Sequence, residues 1–272
     1  MEISLDCAEE VDFTALERAI FNVLKATLQY PGNPHAKTEK LANDIIFFCE
    51  SSLEAVNVSE VLWDTWSVIV EIIFCVPPDH PWQDCIIGCL SSLRNRDDAI
   101  PKHDRSSLWA DLPNLSLCIR EKWIDPTYTG EESKEEFDKW ENLNSFVARV
   151  TSTGFAPWLN FPIWQLRMAL EEPPLKGPAM SCRLWVASEW IIHCANLIFE
   201  EIGSTNEPDE STARALGPGP LYDGKEILGR ERWEFWKRKF SELNNEAGKL
   251  ELDTAIAKRI GETVKVMDAI TK

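Results

Sequence analysis

The chain lacks the common phosphate-binding loops. Neither G-x-x-x-x-G-K-[ST] nor G-x-G-x-x-G occurs in its 272 residues, which removes P-loop and ordinary dinucleotide chemistry. GPGPLYDG (217–224) supplies glycines, but its prolines remove the N–H groups that a phosphate nest needs. No G-x-S-x-G elbow exists, so a hydrolase nucleophile of that type has no seat. Histidine is scarce, at four residues, and H-E-x-x-H is absent, which excludes the common zinc metalloprotease helix.

Basic charge is also short: 28 Lys and Arg stand against 45 Asp and Glu, a net charge of −17. A phosphate-backbone binder ordinarily shows a basic excess, so nucleic acid is not an expected partner. No apolar run reaches the length of about 18 residues that a membrane span needs. The longest, SVIVEIIFCV (67–76), is interrupted by Glu71. The first residues, MEISLDCAEEVDF, are acidic and hold no apolar leader core. The expectation is therefore a cytoplasmic protein with no membrane insertion. Its eight cysteines, among them Cys49, Cys75, Cys118, Cys182 and Cys194 in apolar segments, are expected as free buried thiols.

Metal patterns are weak. His80, Cys85 and Cys89 share the run HPWQDCIIGC, but this spacing matches no standard zinc motif, and His103 joins only through a loop. The acidic pairs that hold Mg²⁺ and a diphosphate in ionising terpene cyclases are missing in usable form. RDDAIPKHD (96–104) falls in an expected loop, and NDIIFFCE (43–50) separates Asn43 from Glu50 by seven residues. No metal and no cofactor is expected.

What is present is helical periodicity and tryptophan, twelve in all. Apolar residues recur at three- and four-residue steps over about 13–28, 36–51, 57–76, 82–93, 114–123, 133–150, 162–172, 181–202, 229–247 and 250–270. Pro31, Pro77-Pro78 and Pro173-Pro174 stop three of these runs. No strand-period segment or internal repeat is found. The expected fold is all-α: one helical domain over 1–272, of about nine or ten helices around a Trp-rich core. An irregular loop spans about 203–229, read as either a linker or a lid.

The stretch GRERWEFWKRKFSEL (229–243) places basic residues beside aromatics in an acidic chain. On a helix, Trp233, Trp236, Phe240 and Leu243 share one stripe, while Arg230, Glu234 and Lys237 share a neighbouring one. The expectation is an amphipathic helix with tryptophans inward and arginines outward.

The sharpest polar feature lies in the most apolar helix. Glu189, His193, Asn196 and Glu200 recur at steps of four, three and four, and Trp185 extends the stripe by a turn. A carboxylate beside an imidazole can orient it and hold its proton, as general acid–base chemistry requires. The same pair can equally satisfy its own hydrogen bonds within a core.

Several blocks together resemble a family of fungal helical proteins that carries only a domain-of-unknown-function label. They are WADLPNLSLCIREKW (109–123), WENLNSFVARV (140–150), IWQLRMALEE (163–172), LWVASEWIIHCANLIFEE (184–201), GPGPLYDG (217–224) and RERWEFWKRKFSEL (230–243). The resemblance implies an all-helical fold. Because some members sit in natural-product gene clusters, it also implies a role in making small hydrophobic molecules.

Two functional expectations follow. The first is a cofactor-independent cyclase or isomerase, pericyclic and of Diels–Alder type, acting on an apolar polyketide or terpenoid intermediate. Such a reaction needs a shaped cavity and one or two polarising groups. Trp185, Trp190, Trp233, Trp236 and Asn196 are the candidate substrate contacts, and His193, Glu189 and Arg183 the candidate polarising or proton-moving groups. The second is a non-catalytic helical module that binds a small molecule or a protein, with the tryptophans serving as core. Oligomeric state is not legible.

Overall fold

The computed structural model describes residues 3–51, 58–96, 108–130, 133–155, 158–203 and 209–270. These residues form an all-α fold with no strand among them. Contacts group the chain into two compact units, 1–125 with 138–146, and 126–137 with 147–272.

The first unit holds α1 (Asp6–Glu9), α2 (Ala15–Gln29), α3 (Pro34–Ser51), α4 (Val58–Phe74), α5 (Pro81–Arg94), α6 (Leu108–Asp111) and α7 (Leu115–Glu121). A capping box starts α2: the Thr14 hydroxyl accepts from the Glu17 N–H while the Glu17 carboxylate accepts from the Thr14 N–H. Asn33 Oδ1 accepts from the Ala36 N–H at 2.8 Å, and Pro34 occupies the first position of α3. The unit is built around α4, whose Val61, Leu62, Trp66, Val68, Val70, Ile72 and Ile73 are fully buried. The indole N–H of Trp66 donates to the Pro113 carbonyl at 2.8 Å, which meets the one polar demand of that side chain.

The second unit holds α8 (Pro126–Thr129), α10 (Asn160–Leu170), α11 (Gly177–Ile202), α12 (Glu210–Ala215), α13 (Arg230–Asn245) and α14 (Thr254–Ile270). Between α8 and α10 in the chain, α9 (Lys134–Ser152) gives its middle to the first unit and its ends to the second. α11 is the central element: α8, α10, α13 and α14 all pack on it. It is apolar nearly all round, with Leu184, Val186, Ala187, Trp190, Ile191 and Ile198 at no solvent exposure.

Ten of these helices coincide with the ten periodic runs within a few residues at each end. The others, α1, α6, α8 and α12, have four to six residues and are too short to show a period. α12 lies inside the expected irregular loop, of which 204–208 fall outside the described residues.

Two expectations need correcting. Cys75 is not a free thiol but is disulfide-bonded to Cys7 across 68 residues. The packing of α1 on α4 brings the two together, a tertiary contact on which periodicity carries no information. Cys49, Cys85, Cys89, Cys118, Cys182 and Cys194 are free and buried. Desolvation pushes the Cys49 and Cys194 thiols up to about 12 and that of Cys118 up to about 11. Secondly, the arginines of α13 do not all face outward: Arg232 is completely buried.

Candidate functional site

The candidate stripe runs along α11. His193 Nε2 lies 3.2 Å from Glu189 Oε1, one helical turn away. The Glu189 carboxylate also pairs with the guanidinium of Arg259 on α14. That guanidinium stacks over the Trp185 ring, 4.4 Å from its centroid. Glu189 is buried, whereas the His193 side chain is about a third exposed, at 32%. Asn196 and Glu200 continue the stripe into solvent. The structure therefore brings together Glu189, His193 and Trp185 and adds Arg259. Arg259, seventy positions downstream of Glu189, gave no sequence signal for that role.

Arg183 is not part of this group. It projects to another side of α11, where Nε donates to Thr127 Oγ1 at 2.8 Å and Nη1 to the Met168 carbonyl at 3.3 Å. These bonds hold α8 and the end of α10 against α11. Trp190, Trp233 and Trp236 have no solvent exposure. Trp233 packs edge-on against Phe199 and Trp236, with ring centroids 5.3 and 6.5 Å away.

The family-like blocks converge on a different feature. Glu171, at the end of α10, and Arg232, on α13, form a fully buried ion pair. Arg232 Nε donates to Glu171 Oε1 at 2.6 Å and Nη2 to Oε2 at 3.0 Å. The remaining guanidinium capacity goes to backbone: Nη1 donates to Leu216 and Ile227, and Nη2 to Gly217. Glu171 Oε1 also accepts from the Trp236 indole at 2.6 Å, and Oε2 from the Gly219 N–H at 2.6 Å. A buried charge pair is tolerated only when its lone pairs and protons are met in this way.

GPGPLYDG is thus a strap over an ion pair. A Cβ at Gly219 would come within 2.7 Å of the Glu171 carbonyl oxygen, so only glycine permits this approach. The Leu221 N–H donates to that same carbonyl at 2.9 Å.

A cavity that no motif announced lies in the first unit. Between α2 and α3, beside the turn that joins them, lies an open groove of about 590 Å³. Val23, Ala26 and Ala36 supply apolar wall, Tyr30 stands exposed at one edge, and Lys37 and Lys40 supply the charge. A smaller void enclosed by Leu24, Ile45, Ile69 and Ile86 measures about 10 Å³, room for a water at most.

No group of three or more His, Cys, Asp or Glu among the described residues is placed to hold a metal ion. His80 instead starts α5, where its Nδ1 accepts from the Trp82 N–H at 3.3 Å. His103 lies outside the described residues. No helix among the described residues is long and apolar enough to cross a membrane.

The described residues define an all-helical, tryptophan-rich protein whose second unit holds a buried Arg–Glu pair. The family model described as "Protein of unknown function (DUF3632)" matches residues 66–240, and the chain belongs to that family. No curated protein and no solved structure matches it. The Glu171–Arg232 pair and the Glu189–His193 stripe lie inside the matched span, while the α2–α3 groove lies before it.

Proposed function

We propose that this protein is a non-catalytic binding module that takes an apolar small molecule in the α2–α3 groove. The observation that supports this reading is the groove itself. Its volume of about 590 Å³ falls in the ordinary range of small-molecule sites, roughly 300–1,000 Å³. The surface it presents is mainly apolar, and no carboxylate or histidine stands among its lining residues, so it offers contact area rather than acid–base chemistry. The burial of Trp190, Trp233 and Trp236 supports the same reading, because those rings serve the core. The test is titration with dodecanol, comparing the native chain with Ala26→Trp, which fills the groove, and with His193→Ala. Saturable binding lost in Ala26→Trp and kept in His193→Ala supports the groove. Binding that survives Ala26→Trp refutes it.

A second reading, the cofactor-free cyclase or isomerase acting on an apolar polyketide or terpenoid intermediate, is favoured by one observation. Glu189 and His193 touch, and the imidazole reaches solvent, which is the geometry a proton-moving pair needs. Arg259 pairs with that same carboxylate and keeps it beside the imidazole. Product formation abolished by both His193→Ala and Glu189→Gln, with the fold intact by circular dichroism, would favour this reading. Unchanged turnover in both variants would remove the pair from the site.

A further inference from the structure

We infer that the ligand of the α2–α3 groove is a monoanionic amphiphile, an aliphatic chain ending in a carboxylate, with its head group on Lys37 and Lys40; this rests on the groove being a binding site. The charge of the groove carries the argument. In a chain of net charge −17, the charged residues among its lining are both lysines, and both lie on α3 about one turn apart. Apolar wall comes from both helices, Val23 and Ala26 on α2 and Ala36 on α3, with Asn22 and Thr27 beside them on α2. The groove thus combines apolar wall with two ammonium groups, the combination an amphiphile matches.

Neither ammonium is fully spent on the protein. Lys37 Nζ donates to the Leu28 carbonyl at the end of α2, and Lys40 Nζ pairs with Asp44. A lysine ammonium has three donors, so each can accept a further anion. The Asp44 carboxylate is turned inward, where its other oxygen accepts from the Thr27 hydroxyl at 2.9 Å. Lys40 itself is 58% exposed. The two cations and one engaged carboxylate leave a local excess of one positive charge, matched by one carboxylate and not by a diphosphate. Ala36 and Gly32 keep the mouth beside the lysines free of bulk.

The experiment compares dodecanoate with dodecanol, both below their aggregation limits, on the native chain and on the double variant Lys37→Met/Lys40→Met. The native chain is expected to bind dodecanoate about fivefold tighter than dodecanol, the scale of one exposed ion pair. The double variant is expected to bind the two alike, and Lys37→Arg/Lys40→Arg to restore the preference. If the methionine variant misfolds, salt gives the same information: raising it to 1 M must erase the dodecanoate advantage and leave dodecanol unchanged. Equal native affinities overturn the head-group assignment while leaving the groove reading in place. A preference that persists in the methionine variant overturns the role of the lysines. Failure of both probes to bind overturns this inference and the groove reading together.

Discussion

Arg232 Nε donates to Glu171 Oε1 at 2.6 Å, with both side chains shut off from solvent. The pair joins α10, the 216–227 strap and α13 at one point. Removing either partner strands a charge that has no water to turn to. Arg232→Met and Glu171→Leu, made singly, are each expected to cost about 3–5 kcal/mol. The double substitution is expected to cost clearly less than the sum. Urea denaturation followed by tryptophan fluorescence measures all three, and additive losses would mean that the two residues do not act as a pair.

The strap makes its own prediction through glycine. Gly219→Ala forces a methyl against the Glu171 carbonyl and is expected to lose about 1–3 kcal/mol, as overpacking does. Gly261, inside α14, is the internal control, because a Cβ there meets nothing within 4 Å. Gly261→Ala is expected to gain about 0.5–1 kcal/mol from helix propensity. Opposite signs in thermal melts of the two variants support the packing described, and equal signs do not.

Which parts were legible in sequence follows from how far apart the partners lie. The long helices were readable because Leu16, Ile20 and Leu24, or Trp233, Trp236 and Phe240, announce a buried face within a few residues of one another. The Arg232–Glu171 pair was not, because its partners are 61 residues apart and a charged residue beside a tryptophan stripe reads as surface. Glycine and proline in GPGPLYDG were visible but read as loop, since the carbonyl that Gly219 must approach belongs to another element. The groove had no motif at all. It is lined from both α2 and α3, and its Val23 and Ala26 sit at the edge of the α2 core stripe. On α11 the Glu189–His193 contact followed from spacing, whereas Arg259 came from a helix whose placement the spacing does not give.

The cysteines give a counting test. Among the eight, six are free and buried and two are bonded to each other. Burial holds thiols such as Cys49 near 12, so thiolate is scarce at neutral pH. An alkylating reagent is expected to label almost nothing in the native chain, six residues in denaturant, and eight after reduction. Eight labelled without reduction would contradict the Cys7–Cys75 bond.

Asp209 caps α12. Its carboxylate accepts first from the Thr212 N–H, at 2.9 Å, then from Ser211 and the Thr212 hydroxyl, and these bonds lower it from 3.8 to about 2. A lowered carboxylate contributes its stabilisation above its unfolded value and loses it as pH falls toward 2. The side-chain carboxyl resonance of Asp209 is expected to titrate with a midpoint near 2. A midpoint near 3.8 would mean the cap does not form.

Methyl resonances test the central claim most directly, because they report where an apolar ligand sits. With dodecanol added to the methyl-labelled chain, Val23, Ala26 and Ala36 are expected to shift in a saturable manner and to show contacts to the added chain, while methyls of α11 around His193 stay in place. Shifts that gather at α11 instead, with Val23, Ala26 and Ala36 unmoved, would contradict the groove as the binding site.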